Sequence, residues 1–259
     1  MAKLEDEIKS VPHSRINALK FIHKYLEEVD VKGKTVIDLS AGSGYVANLW
    51  HKAGAKVSPY DMFPELLKSD NLKCQKIDLN EKLPIASESA DYVLLMETIE
   101  HIPNQYQLLN EIGRILKKGG ILVLTKPNNS NISSRFANLW LEAERSDMFL
   151  PNEKSVIGYD NERIYLGRIF LLGAIKLRTL AGLAGLKVQK VHKNQFGISS
   201  LLWFILIGWY YYIRTGLTYS KLKRKLPDYE LEPLKEQHEL NRNSTILFHK
   251  HLCMTFIKQ

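Results

Sequence analysis

Four acidic side chains close four short apolar runs: Asp38 ends "TVID", Asp61 ends "KVSPYD", Asp78 ends "KCQKID" and Glu97 ends "DYVLLME". After the first of them come Ser40-Ala41-Gly42-Ser43-Gly44 and then a stretch with helical spacing. Glycines let a backbone approach a ligand with no Cβ in the way. A helix opening near Tyr45 aims its free amides at the same place. The pattern Gly42-x-Gly44-x-x-Ala47 also fits the dinucleotide fingerprint. Asp38, four residues before Gly42, argues against a pyrophosphate there, because its charge would repel a phosphate and would accept a hydrogen bond from an ammonium. Carboxylates gathered along one sheet edge suit a ligand that joins a cationic amino acid part to a ribose.

The elements that must hold these acids in place read as alternating strands and helices. Residues 14–30 carry an apolar stripe of period 3.6, with Ser14 as a candidate N-cap. Strands follow at 35–39, 56–61, 73–78, 91–97 and 121–127, with helices at 45–53, 64–68 and 104–117. Strands alternating with helices at this spacing mean a parallel doubly wound sheet. Ligands bind such sheets at the carboxyl ends of the strands. Beyond 128 the pattern loosens. A helix at 168–184, a strand at 187–193 and a last alternating stretch at 244–258 complete the reading.

With 259 residues, 45% hydrophobic and 25% charged, the chain has the make-up of a soluble globular protein. Cys74 and Cys253 are too few for a disulfide framework and sit in apolar runs, so two buried free thiols are expected. The polar start "MAKLEDEIKS" has no apolar stretch of the kind that opens a secretory signal, which makes a reducing cytosol the expected compartment. The net charge of +8 favours anionic partners without choosing among nucleic acid, lipid and phosphorylated substrate.

"VIDLSAGSG" resembles motif I of the class I S-adenosylmethionine-dependent methyltransferases. "VSPYDMFPE", "KIDLNEKLPIASESADYVLLMETIEHI" and "LKKGGILVLTKPN" resemble their later motifs, in order, from about 33 to 128. The resemblance is to the type 11 and ubiquinone-biosynthesis O-methyltransferase branch. It implies an α/β Rossmann-like doubly wound seven-stranded sheet of order 3-2-1-4-5-7-6 in three layers, the last strand antiparallel. It makes 1–259 one domain: a helical segment 1–33, a cofactor-binding core 34–128, a substrate-side region with an insertion 129–243, and a final strand 244–259. Around the cofactor S-adenosylmethionine it places Asp38, Ser40, Ala41, Gly42 and Gly44, Asp61 on the ribose with Met62 beside it, Asp78 and Leu79 at the adenine, and Met96 and Glu97 near the transferred methyl. It points to Asn128, after the fifth strand, as a substrate contact. Ser40-Ala41 stands where relatives often have Gly-Cys, and both replacements are small. Asp91 opens a buried strand and reads as structural.

Methyl transfer from a sulfonium is an in-line displacement in which the protein aligns and desolvates. His101, just past the fourth strand, is the candidate general base for a hydroxyl acceptor; shaping the pocket is its other reading. Glu97, Glu100 and His101 at i, i+3 and i+4 would share one face of a helix begun that early and could hold a divalent ion. With no fourth ligand evident, a metal is the lesser reading. His13 and Arg15 could cover the cofactor or meet an acidic substrate. The segment 198–225 holds an apolar run, Leu201–Ile213, too short for a comfortable bilayer span. Arg214, Lys221, Lys223, Arg224 and Lys225 follow it. Three readings stand: an anionic membrane surface at the inner face of the cytoplasmic membrane, a buried helix over the sheet, and a homodimer contact. The expected function is O-methylation of a small or lipid-linked acceptor, such as a quinone precursor or a glycan. An RNA methyltransferase is less favoured because, apart from 214–225, the basic residues are scattered. A non-catalytic S-adenosylmethionine-binding protein and an NAD-dependent oxidoreductase are the remaining alternatives.

Overall fold

Successive residues of the central strands bury themselves on opposite sides of a sheet. Ile37, Val93, Leu95, Leu122 and Leu124 pack into one apolar cluster, while Val36, Tyr92, Leu94 and Val123 pack into another. Such strands must be covered on both faces. The computed structural model describes residues 16–141, 156–159, 162–165 and 170–259. His13, Ser14 and Arg15 therefore lie outside the described residues.

Helix α1 (Ile16–Glu28) leads into β1 (Thr35–Asp38), α2 (Tyr45–Lys52), β2 (Lys56–Asp61), β3 (Gln75–Lys76) and β4 (Ala90–Met96). Helix α3 (Gln105–Ile115) runs directly into the long β5 (Leu116–Pro127), and α4 (Ile132–Leu141) follows. Strands β6 (Val156–Tyr159) and β7 (Glu162–Tyr165) form a separate antiparallel pair. Then come α5 (Ala174–Leu183), β8 (Leu186–His192), α6 (Ile198–Lys223), α7 (Leu231–Arg242), α8 (Ser244–Phe248) and β9 (His251–Lys258).

The main sheet has the order β3-β2-β1-β4-β5-β9-β8. Strands β1 to β5 pair in parallel, and β9 lies antiparallel between β5 and β8. This is the expected order and reversal. Helices α1 and α2 cover one face through Phe21, Ile22, Tyr25 and Trp50. On the other face α3 and α5 supply Leu108, Ile112, Ile115 and Leu177. Asp91 is structural as expected: its carboxylate accepts from the Thr35 N–H at 2.8 Å and pairs with Lys117 at 3.0 Å.

Several boundaries depart from expectation: the helix expected at 168–184 begins only at Ala174, and the strand expected at 121–127 begins at Leu116, in the last turn of the helix expected at 104–117. Residues 244–248 form a helix instead of the start of the last strand, because the Asn243 side chain caps it by accepting from the Thr245 and Ile246 amides. The expected helix at 64–68 is one 3₁₀ turn, Pro64–Leu66, and the strand at 73–78 shrinks to Gln75–Lys76. Cys253 is buried, but Cys74 is only half-buried, and both are free thiols. The long helix α6 is not a buried cover for the sheet, since only Ser200 and Gly208 along it are buried.

Helix α3 meets the C-cap of α5 at Gly113, where a Cβ would collide with the Ala184 carbonyl oxygen. An alanine in a helix interior ordinarily gains ~1 kcal/mol over glycine. Here the obstacle is backbone, so Gly113→Ala is expected to destabilise by about 1–3 kcal/mol. Chemical denaturation reads the sign directly, and a stabilised variant would refute this packing.

Candidate functional site

The carboxyl ends of β1, β2 and β4 converge on the glycine turn. Asp38 ends the central strand almost wholly buried, at 1% exposure. One of its oxygens accepts a long bond from the Ser40 N–H, at 3.3 Å, and Oδ2 is buried with no hydrogen-bond partner among the described residues. Burial pushes this carboxyl up to about 7; the Ser40 amide opposes the shift, and the nearby Asp61 charge adds to it. A buried oxygen left unpaired costs ~1–3 kcal/mol or more, so this one is a strong place for a ligand's cationic donor.

Asp61, at the end of β2, holds the turn in place. Its Oδ2 accepts from the Gly42 N–H at 2.8 Å and its Oδ1 from the Phe63 N–H at 3.0 Å. The Ala41 N–H donates to the Tyr60 carbonyl at 3.1 Å. Gly42 and Gly44 both have positive φ, +50° and +80°, and Gly44 is the N-cap residue of α2, with no side chain capping the helix. A Cβ on Gly44 would also run into Leu67. Ser40 links this turn to β4: its hydroxyl accepts from the Met96 N–H at 3.2 Å.

Glu97 follows in a left-handed backbone conformation, φ +50°. A non-glycine residue there is strained, and such strain gathers at functional sites. Its Oε2 lies 3.5 Å from His251 Nε2, and its Oε1 is buried with no partner among the described residues. His251 opens β9, whose reversed direction brings its first residue to the same edge as the ends of β4 and β5. His251 is not among the residues that the sequence motifs single out. Its only signal was a histidine at the start of the last strand, which matters once that strand is known to run backwards. Lys126 was also missed; it is fully buried, and its ammonium donates to the Pro127 carbonyl at 2.7 Å and to Asn129 at 3.2 Å.

The shared helical face on which the lesser, metal-binding reading rested does not form. Glu97 stands before a single 3₁₀ turn, Ile99–His101, so Glu97, Glu100 and His101 do not line one side of an α-helix. Among the described residues no group of three or more His, Cys, Asp or Glu side chains is placed to hold a metal ion. His101 closes that turn, its backbone N–H donating to Thr98. Asp78 lies just past β3 and accepts from the Asn80 amide and side chain, both at 2.9 Å; Leu79 beside it is buried, and Met62 is half-buried.

Asn128 departs from its expected role. It is 1% exposed and donates both amide hydrogens inward, to the Ile246 and His249 carbonyls at 2.8 Å each, while its Oδ1 accepts from the Ser130 N–H. No donor hydrogen is left for a substrate. Its position after β5 suggested a rim residue, but α8 and β9 fold over it.

Comparison with known proteins matches residues 13–191 to a family described as a methyltransferase domain. The chain is 29% identical over 126 residues to the ubiquinone biosynthesis O-methyltransferase of Psychrobacter arcticus, covering 44% of this chain and 49% of that protein. It is 28% identical over 134 residues to the enzyme of the same name from Coxiella burnetii, covering 47% and 55%. The chain thus spans about half the length of the curated relatives it matches. Among solved structures, a protein from Pyrococcus horikoshii superposes with a TM-score of 0.56 at 16% identity, covering 96% of this chain and 93% of that one. An S-adenosylmethionine-dependent methyltransferase from Mesorhizobium loti gives 0.50 at 13% identity, covering 91% and 96%. At these identities the likeness is one of fold.

The Asp38 environment predicts a pH dependence with a definite sign. Its folded carboxyl titrates at about 7 against an ordinary 3.8, so between those values the folded state holds a proton that the unfolded chain has released. Stability is then fullest below the ordinary value and falls as pH rises through about 7. Asp38→Asn should flatten that slope in urea titrations of the ligand-free protein at a series of pH values. If the two slopes coincide, the carboxyl does not carry the burden assigned to it.

Proposed function

The chain belongs to the methyltransferase-domain family, with the class I S-adenosylmethionine-dependent fold, and from that premise we propose that it O-methylates a small or lipid-linked hydroxyl acceptor. The observation that carries the cofactor reading is the buried Asp38 oxygen, without a hydrogen-bond partner among the described residues, beside a glycine turn of positive φ. A carboxylate penalised by burial is relieved by an ammonium, and glycine amides leave room for it. These residues therefore fit S-adenosylmethionine. Asp38 would hold its amino group and Asp61 its ribose hydroxyls, with Asp78 and Leu79 at its adenine and Met96 and Glu97 near its methyl. When bound, that cofactor supplies an electrophilic methyl group on a sulfonium.

The protein's own task is to bring an acceptor oxygen into line, exclude water and take up its proton. His101 is the residue proposed for the proton. It sits one short turn past β4, and a free imidazole titrates near neutrality. The relatives named ubiquinone biosynthesis O-methyltransferase support oxygen as the accepting atom.

Calorimetry with S-adenosylmethionine and NAD side by side tests the cofactor: the first should bind and the second should not. Asp61→Ala should weaken S-adenosylmethionine binding by roughly 10–100-fold, the loss expected for charge-assisted hydrogen bonds. Unchanged affinity would remove Asp61 from the ribose. His101→Gln should lower kcat on the acceptor found by a methyl-gain metabolite screen by about 10²–10⁴-fold, with cofactor affinity kept. A kcat within about twofold of the parent would leave His101 a pocket-shaping residue only.

A further inference from the structure

We propose that α4 and α6 together form a docking surface for an anionic lipid bilayer, on which the protein lies without crossing. This goes beyond the methyl-transfer reading and does not rest on it. Helix α6 leaves Leu202, Leu206, Trp209, Ile213 and Leu217 exposed. Their spacing of four, three, four and four residues sets them in one stripe along the helix. Helix α4 adds Leu139 and Trp140, at 73% and 70% exposure. The two helices form one platform: Phe136 stacks on Trp203 with ring centroids 4.6 Å apart, and the Arg135 guanidinium donates to the Tyr211 hydroxyl at 2.6 Å. Scattered exposed leucines need no explanation, but a contiguous apolar face of this kind marks an interaction site.

Charge chooses the occupant. From Ile198 to Pro227 the chain has no acidic residue, while Arg214 lies in the second half of the helix and Lys221, Lys223, Arg224 and Lys225 lie at and just past its carboxyl end. All five are exposed, and none forms an ion pair among the described residues. Arg224 continues the apolar stripe by helical spacing. An apolar face ending in unpaired cations complements an anionic bilayer, with rings and leucines at the headgroup boundary and cations on the phosphates. A second copy of this face would offer those cations no counter-charge. No helix among the described residues is long and apolar enough to cross a membrane, which makes the attachment interfacial.

Vesicle co-sedimentation tests this. The protein should partition onto phosphatidylcholine vesicles containing phosphatidylglycerol and bind pure phosphatidylcholine about tenfold or more weakly. Lipids brominated in the acyl chains should quench the most exposed tryptophans, Trp140 and Trp209, and less so Trp203, which is stacked on Phe136, while Trp50, fully buried, should be spared. Trp209→Glu with Ile213→Glu should abolish partitioning, at positions exposed enough to leave the fold alone. Lys221→Glu with Arg224→Glu should remove the preference for phosphatidylglycerol. No partitioning of the parent protein overturns the proposal, as does partitioning without quenching, which is adsorption by charge alone. It is equally overturned by a dimer that the Trp209/Ile213 variant breaks in sedimentation equilibrium while vesicles leave the parent free. Cofactor calorimetry on the same samples keeps the two readings apart: loss of either result leaves the other standing.

Discussion

A carboxylate buried at the end of the central strand is the constraint on which the site depends. Asp38 sits where β1 is flanked by β2 and β4, so water cannot reach it and neighbouring chain must serve instead. The Ser40 amide serves one oxygen poorly, and the other has no partner among the described residues. A fold built for stability alone would place an apolar residue there, because replacing an uncompensated buried charge is commonly stabilising. Keeping the acid is intelligible if something cationic completes it. The surrounding turn is arranged accordingly: Asp61 fixes Gly42 from one side and Ser40 fixes Met96 from the other, so the cradle is held open by bonds that do not use Asp38.

The reversed last strand supplies the second organising feature. In a purely parallel sheet only strand exits reach the carboxyl edge. Because β9 runs against β5, its entry, His251, lies there too and meets Glu97. The strained backbone of Glu97 gains from this arrangement: its N–H is held by the Thr125 carbonyl at 2.9 Å, and its carboxylate reaches across β5 to β9. Three strands thus fix a conformation that Glu97 would not adopt alone.

Much of this was legible in the residues because two periodicities are local. The alternation Val36/Ile37 and Tyr92/Val93/Leu94/Leu95 announces a sheet covered on both faces, and the acids and glycines mark where its strands end. The strand order came from likeness to a family, since pairing between distant strands leaves no local trace. What was not legible depends on contacts far apart in sequence. Asn128 looked like a rim residue until α8 and β9, more than a hundred residues on, closed over its amide. The helix at 244–248 was hidden because "STILF" alternates as well as a strand does; the Asn243 cap decided the matter. Glu97, Glu100 and His101 have the spacing of one α-helical face, but positive φ at Glu97 delays the turn past it.

The site and the outer helical platform meet at the exit of β5, and the meeting is polar. Asn128 binds the carbonyls at the end of α8, and its own oxygen starts the turn at Ser130. Asn131 accepts from the Ser134 N–H at 2.8 Å at the start of α4, and from the Ser200 hydroxyl at 3.3 Å at the start of α6. The Ser130 hydroxyl in turn accepts from the first amide of α5 at 2.8 Å. Buried polar groups satisfied in this mutual way specify one arrangement, since any slip leaves several of them unpaired at once. Four helices are thereby keyed to a single turn that begins one residue after Pro127, the residue paired with His251. A hydrophobic seam would tolerate sliding between helix and sheet, whereas this network does not. The apolar face of α6 is therefore held at a set orientation to the strand ends, so whatever it rests upon also sets which way the carboxyl edge of the sheet faces.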